Sequence, residues 1–341
     1  MGGGGDYYGR DVTDKRYRSA SGASNMAERE LSRASIDTSF LPKNRRLECN
    51  ALNPLVYAFD ETGSMDKLPK IIYDKWPGIV GQIVARKYLS DPQMSLAAIG
   101  DITSDTAPIQ IAPFSALRNL DRYFRNIYFE GNGGGQSQES YEMMAYYYAY
   151  LCDIPKAENP IFLFTGDEGF REKLFAYDLF EHFGGEHKET TAKKVFDDLL
   201  KKFKGNAFLI HRYYPGGKDP SIVRQWEGAL GKERIIRMPE GESGDLAIGD
   251  ITLGVYAIVS GGRTLEQYLE DMRTRPLDLG TDIEYEPQTP ARIRDVAKAL
   301  KPLENFRPVK APRRTAKSAN GKTSSEKKPP AKKKGKGNFR F

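Results

Sequence analysis

The chain has 341 residues, 39% hydrophobic and 11% aromatic, enough for one large domain or two small ones. Its net charge of +6 is uneven: residues 310–341 carry twelve Lys or Arg against the single Glu326, a net +11, which leaves −5 for residues 1–309. This argues against a uniformly basic protein. The lack of any apolar run near 20 residues argues against a membrane-spanning helix, and two cysteines without a CxxC or Cys/His cluster argue against a zinc site.

Residues 1–48 are Gly-, Ser- and Arg-rich and read as a flexible arm, with a short helix near residues 25–35. The start lacks the basic-then-apolar order of a signal peptide. The core begins at Pro54. LVYAF (55–59) is a short, unalternating apolar run, as expected of a strand buried on both faces, and it ends at Asp60. DETGSM is a polar turn, and residues 68–89 read as a helix that Pro77 should kink or interrupt. MSLAAIGD (94–101) is a second strand ending in Asp. APIQIAPF (107–114) suits an edge strand, followed by a helix over 115–126.

GNGGGQSQ (131–138) is a Gly-rich loop and residues 139–152 a Tyr-rich helix. IFLFTGD (161–167) is a third buried-type strand ending in Asp. The pattern then predicts a long helical region to about Lys204, broken near Gly184–Gly185. After it come a strand over 206–214, a helix over 221–231, a strand over 233–239 and a helix over 243–262. Four segments result: the arm 1–48, a domain over 49–262, a C-terminal helix with an extended piece over 263–309, and a Lys/Pro-rich tail over 310–341.

Strands alternating with helices predict an α/β fold, doubly wound, with a mostly parallel central sheet and helices on both faces. Such sheets bind ligands at the carboxyl ends of their strands, where strand order reverses. Asp60, Asp101 and Asp167 all stand at strand ends, which predicts oxygen ligands gathered on one rim. Asp60, Thr62 and Ser64 place a carboxylate and two hydroxyls at alternate positions of one turn. That donor set suits a hard cation, Mg²⁺ or alternatively Mn²⁺ or Ca²⁺. With two hydroxyls and few carboxylates the ion stays under-neutralised and can accept a carboxylate from another molecule. The competing reading is an empty helix cap.

DETGSM after LVYAF resembles the metal-ion-dependent adhesion site of von Willebrand factor A domains, whose first motif is Asp-x-Ser/Thr-x-Ser. The resemblance covers residues 52–262 and implies metal ligation by Asp60, Thr62, Ser64 and Asp167. The family's loop threonine aligns with Gln136, a departure; Ser137, Gln138, Glu139 or Ser140 are alternatives there. The sequence is similar to a bacterial-type intracellular branch of the family, which implies a regular place for Gln136, Glu139 and Asp101. Gly63, Gly135 and Glu168 belong to the expected surround. Glu61 and Glu168 read as solvated rim carboxylates, and Asp101 as a turn residue before a rim role. The five tyrosines of 141–150 read as packing. His182, His187 and His211 read as ordinary side chains.

The expected function is a non-enzymatic interaction module whose protein partner supplies an Asp or Glu. The resemblance implies an adaptor in a larger assembly, such as one built on an AAA+ ATPase. A second reading makes the tail (Lys327, Lys328, Lys332, Lys333, Lys334, Lys336) an attachment to nucleic acid or an acidic partner. A third is Mg²⁺-dependent phosphoryl transfer, disfavoured because the sequence shows no P-loop and no nucleophile–base pair. A cytoplasmic location is expected, or nuclear in a eukaryotic host.

Overall fold

In the computed structural model the described residues are 36–129, 138–274 and 288–307. The expected helix near 25–35, Gly135, Gln136 and the whole Lys-rich tail lie outside them.

The central sheet is built from β2 (Pro54–Asp60), β3 (Gln93–Ile99), β4 (Ile109–Ile111), β5 (Ser115–Ala116), β8 (Ile161–Gly166), β12 (Ala207–His211) and β13 (Ile235–Arg237). Its order is β13-β12-β8-β2-β3-β4, with β5 also pairing to β3. The pairs β2/β3, β2/β8, β8/β12 and β12/β13 are parallel; β4 and β5 run antiparallel on β3. The fold is therefore α/β with a mostly parallel sheet. From β2 the chain first builds outward through β3 and β4. It then returns to β2's other side and builds β8, β12 and β13. The switch point falls between β2 and β8, whose carboxyl ends carry Asp60 and Asp167.

Side-chain alternation divides the core into two layers. Leu55, Tyr57 and Phe59 of β2 and Ile161 and Leu163 of β8 face one layer; Val56, Ala58, Phe162 and Phe164 face the other. The first layer is covered by α1 (Leu68–Ala85), α2 (Leu120–Asn126), α8 (Ile248–Val259), α9 (Leu265–Arg273) and α10 (Pro290–Leu300). The second is covered by α3 (Tyr141–Tyr150), α4 (Ala176–Phe183), α5 (Ala192–Lys202) and α6 (Asp219–Leu230). Burial on both sides explains why the central strands read as unbroken apolar runs.

Several local expectations are corrected. Pro77 lies inside a continuous α1 and is itself buried, so packing in the core offsets the one backbone bond it forgoes. The helix expected over 115–126 begins only at Leu120, because Ser115–Ala116 pairs with β3. The stretch after Asp167 is not one helical region. β9 (Gly169–Phe170) pairs with β6 (Gln138–Glu139), and β10 (Lys173–Leu174) pairs with β11 (Thr190–Thr191), around α4 and before α5. The helix expected over 243–262 is two, α7 (Glu242–Asp245) and α8.

Residues outside the predicted 49–262 domain also join its core. β1 (Leu47–Glu48) pairs with β7 (Cys152–Asp153), and Phe40 is buried. Every residue of α8 is buried, beneath α9 and α10, whose Tyr268, Met272, Val296 and Leu300 are fully enclosed. Both cysteines are free and buried.

Candidate metal centre

Asp60 is the last residue of β2 and is fully buried. The chain turns at once, so Thr62 folds back over it. Asp60 Oδ1 accepts from the Thr62 amide at 2.8 Å and from Thr62 Oγ1 at 2.5 Å. Gly63–Met65 forms one 3₁₀ turn, which brings Ser64 Oγ to 3.3 Å from Thr62 Oγ1. Ser64 Oγ donates to Asp167 Oδ1 at 2.9 Å, across the switch point. Gly63 is exposed and Ser64 half-buried, so this turn forms the outer lip of the site.

The four residues Asp60, Thr62, Ser64 and Asp167 are thus brought together as the motif predicts. Each hydroxyl has its single proton committed to a carboxylate, which leaves lone pairs on two oxygens that face each other. Neighbouring ligands of an octahedral Mg²⁺ stand about 3 Å apart, and the Thr62–Ser64–Asp167 oxygen chain has that spacing. Asp167 Oδ2 is buried with no hydrogen-bond donor. The set therefore fits a hard divalent cation, with Thr62, Ser64 and Asp167 as the oxygens free to hold it. Asp60 sits behind, since its Oδ2 is also occupied, by the Tyr141 hydroxyl at 2.5 Å. Among the described residues no group of three or more His, Cys, Asp or Glu forms a metal cluster, so the fit depends on the hydroxyls.

The surrounding carboxylates are buried rather than solvated, which corrects the reading of Glu61 and Glu168. Glu61 accepts from Gln110 at 3.1 Å beneath the surface. Glu168 is 5% exposed, and one of its oxygens has no hydrogen bond. The β6/β9 pairing sets Glu139 beside this group; it is 1% exposed, with Oε2 lacking a donor. Burial raises the pKa values of Asp60, Glu139, Asp167 and Glu168, and mutual repulsion raises them further. Asp167 is pushed to about 7 by burial and the Asp60 charge, Glu168 to about 8 by burial and the Asp60 and Asp167 charges. Glu139 is pushed to about 10 by burial and the charges of Asp60 and Glu168. Asp60 is raised by burial, against the pull of its Thr62 and Tyr141 bonds. A divalent cation at this place would reverse the repulsion.

Asp101 takes the turn role expected of it. Its Oδ1 caps its own turn through the amide and hydroxyl of Thr103, each at 2.8 Å, and it also pairs with Arg171. Two residues of the site escaped the sequence reading. Tyr141 packs edge-on against Trp226 and Phe164 as expected of a core tyrosine, but its hydroxyl also anchors Asp60. Arg212 follows β12 at the same rim and donates to the Ser64 carbonyl at 2.8 Å and to both oxygens of Asp245. No local sequence signal marks it, because its partners lie 33 and 148 residues away. The histidines remain apart; His211 is buried and bonded to Asp219.

No family model matches the chain, and no curated protein matches it. Among solved structures it is similar to the pilus adhesin SpaC from Lactobacillus rhamnosus GG, at 7% identity and a TM-score of 0.41, over 63% of this chain and 32% of that one. It is also similar to proximal thread matrix protein 1 of the mussel byssus, at 10% identity and a TM-score of 0.39, over 62% and 49% of the two chains. A von Willebrand factor type A protein from Catenulispora acidiphila gives 14% identity and a TM-score of 0.35, over 60% and 43%. The chain thus spans less than half the length of each.

Proposed function

We propose that this protein is a binding module that holds a divalent cation, Mg²⁺ or a similar ion, at the β2/β8 switch point and presents it to a carboxylate of a protein partner. The carrying observation is the run of oxygens Thr62 Oγ1, Ser64 Oγ and Asp167 Oδ1 at ligand-like spacing, with both hydroxyl protons already committed. Two neutral hydroxyls and one carboxylate neutralise only part of a double positive charge. The ion's remaining positions favour water or an incoming anion. The exposed Gly63 lip leaves an approach from solvent.

The test has two stages. Calorimetric titration of the full chain with Mg²⁺ and Mn²⁺ should show one site that is lost in Asp167→Ala and in Thr62→Ala. Capture of partners should then be abolished by EDTA and by the same substitutions. Partner capture that survives both chelation and substitution would overturn the reading. The AAA+ assembly implied by the family resemblance is one candidate setting for such a partner. The +11 tail supports a second, compatible role in attachment to a polyanion such as nucleic acid. Deletion of residues 310–341 should then remove salt-sensitive binding without affecting cation binding.

A further inference from the structure

We propose that Arg212 is an internal counter-cation of this centre and that Asp245 sets the centre's cation affinity by holding Arg212 back from Asp167. The inference rests on the metal-binding reading above. Its geometry is independent of that reading. The Arg212 backbone amide is fixed to the Gly166 carbonyl at 2.9 Å, which roots the side chain one residue from Asp167. The guanidinium then reaches in two directions. Nε and Nη2 donate to Asp245 Oδ1 and Oδ2 at 2.9 and 3.2 Å, a two-pronged pairing typical of arginine. Nη1 donates to the Ser64 carbonyl at 2.8 Å and stands 3.8 Å from Asp167 Oδ2. That last contact is too long for a hydrogen bond, and Asp167 Oδ2 has no other donor.

The arginine therefore stands within electrostatic reach of the Asp167 carboxylate a cation would use, yet its closest bonds go elsewhere. A positive charge at this place weakens binding of a second positive charge through simple Coulomb repulsion. Asp245 draws the guanidinium away and offsets its charge. Asp245 ends α7, the short helix that leads into the fully buried α8, so the position of this segment bears on the centre without touching it. Arg212 is a positioning residue, since it acts through Ser64 and Asp167.

The discriminating experiment uses two substitutions whose effects should have opposite signs. In Arg212→Met the competing charge is gone, and Mn²⁺ and Mg²⁺ should bind about tenfold more tightly, the scale on which one nearby charge shifts an ionic site. In Asp245→Asn the guanidinium is released toward Asp167, and the same ions should bind about tenfold more weakly. The double variant should behave as Arg212→Met. Binding is read by calorimetry and by the Mn²⁺ electron paramagnetic resonance signal, with circular dichroism confirming the fold. If Arg212 served only to brace the Ser64 turn, both single variants would bind more weakly. That result, or no change in either, overturns this proposal while leaving the metal site intact. A wild-type chain that binds neither ion overturns both readings. Arg212→Lys serves where Arg212→Met does not fold: it keeps the charge without the two-pronged hold and should bind more weakly than wild type.

Discussion

The Tyr141 hydroxyl donates to Asp60 Oδ2 at 2.5 Å, joining the first residue of α3 to the last residue of β2. Both are fully buried, so neither can exchange this bond for one to water. The other oxygen of Asp60 is held by Thr62. A carboxylate fixed at both ends cannot rotate, and the Thr62 hydroxyl that it orients cannot rotate either. The Thr62–Ser64 turn is therefore pre-set by a tyrosine that reads, in sequence, as ordinary packing.

Tyr141→Phe should keep the ring's contacts with Trp226 and Phe164 while stranding one buried oxygen of Asp60. Leaving a buried hydrogen-bond acceptor without its donor costs about 1–3 kcal/mol. Denaturant melts of the chain in EDTA should show that loss with an unchanged slope. A variant as stable as wild type would mean that Asp60 is protonated or solvated in its place.

Gly166 gives Tyr141 the room it needs. A Cβ at residue 166 would stand 1.7 Å from the Tyr141 hydroxyl oxygen. Gly166→Ala should therefore push the ring away from Asp60 and cost about as much as Tyr141→Phe. Because both act on the same bond, the two losses should fall well short of adding in the double variant. Full additivity would show that Gly166 serves the sheet alone.

The clustered carboxylates make a pH prediction whose sign follows from their raised values. A carboxyl with a higher pKa folded than unfolded holds its proton more tightly in the native state, so its contribution is fully present below the unfolded value and is lost as pH rises. For Asp167 the window runs from the ordinary 3.8 to about 7, for Glu168 from 4.5 to about 8, and for Glu139 from 4.5 to about 10. In EDTA the melting temperature should fall between pH 5 and pH 8. Saturating Mg²⁺ neutralises the ionised cluster, so its stabilising shift should be larger at pH 8 than at pH 5. An equal shift at both values would place the ion away from these groups.

Much of this architecture is legible in the chain itself. LVYAF, MSLAAI and IFLFTG carry no alternation because both faces of each strand are covered, and an Asp closing two of them marks the carboxyl-end rim of the sheet. The proximity of Asp60 and Asp167 follows from that pattern, and that of Thr62 and Ser64 from their alternate spacing after Asp60. What stays hidden depends on pairing between distant segments. Two-residue strands such as Gly169–Phe170 have no periodicity to read, yet their pairing with Gln138–Glu139 is what buries Glu139 and Glu168 together. Arg212 is equally silent, because its role comes from a neighbour 33 residues away in Asp245 and another 148 away in Ser64.

The C-terminal helices give the last prediction. A domain read as ending at Gly262 would leave α8 on the surface, but all twelve of its residues are buried. Gly254 lies so close to α9 and α10 that a Cβ there would stand 2.2 Å from Leu300 Cδ1 and 2.8 Å from the Tyr268 ring. This is close packing of helix on helix, and α8 has no polar face to offer water instead. Leu300→Ala should cost about 2–5 kcal/mol, the usual range for a fully buried leucine. Gly254→Leu should destabilise at the same interface by overpacking, by about 1–3 kcal/mol or more. A chain truncated after Gly262 should expose the apolar face of α8 and aggregate on expression. If the truncated chain is monomeric and melts as cooperatively as the full one, α9 and α10 are an accessory layer and not part of the core.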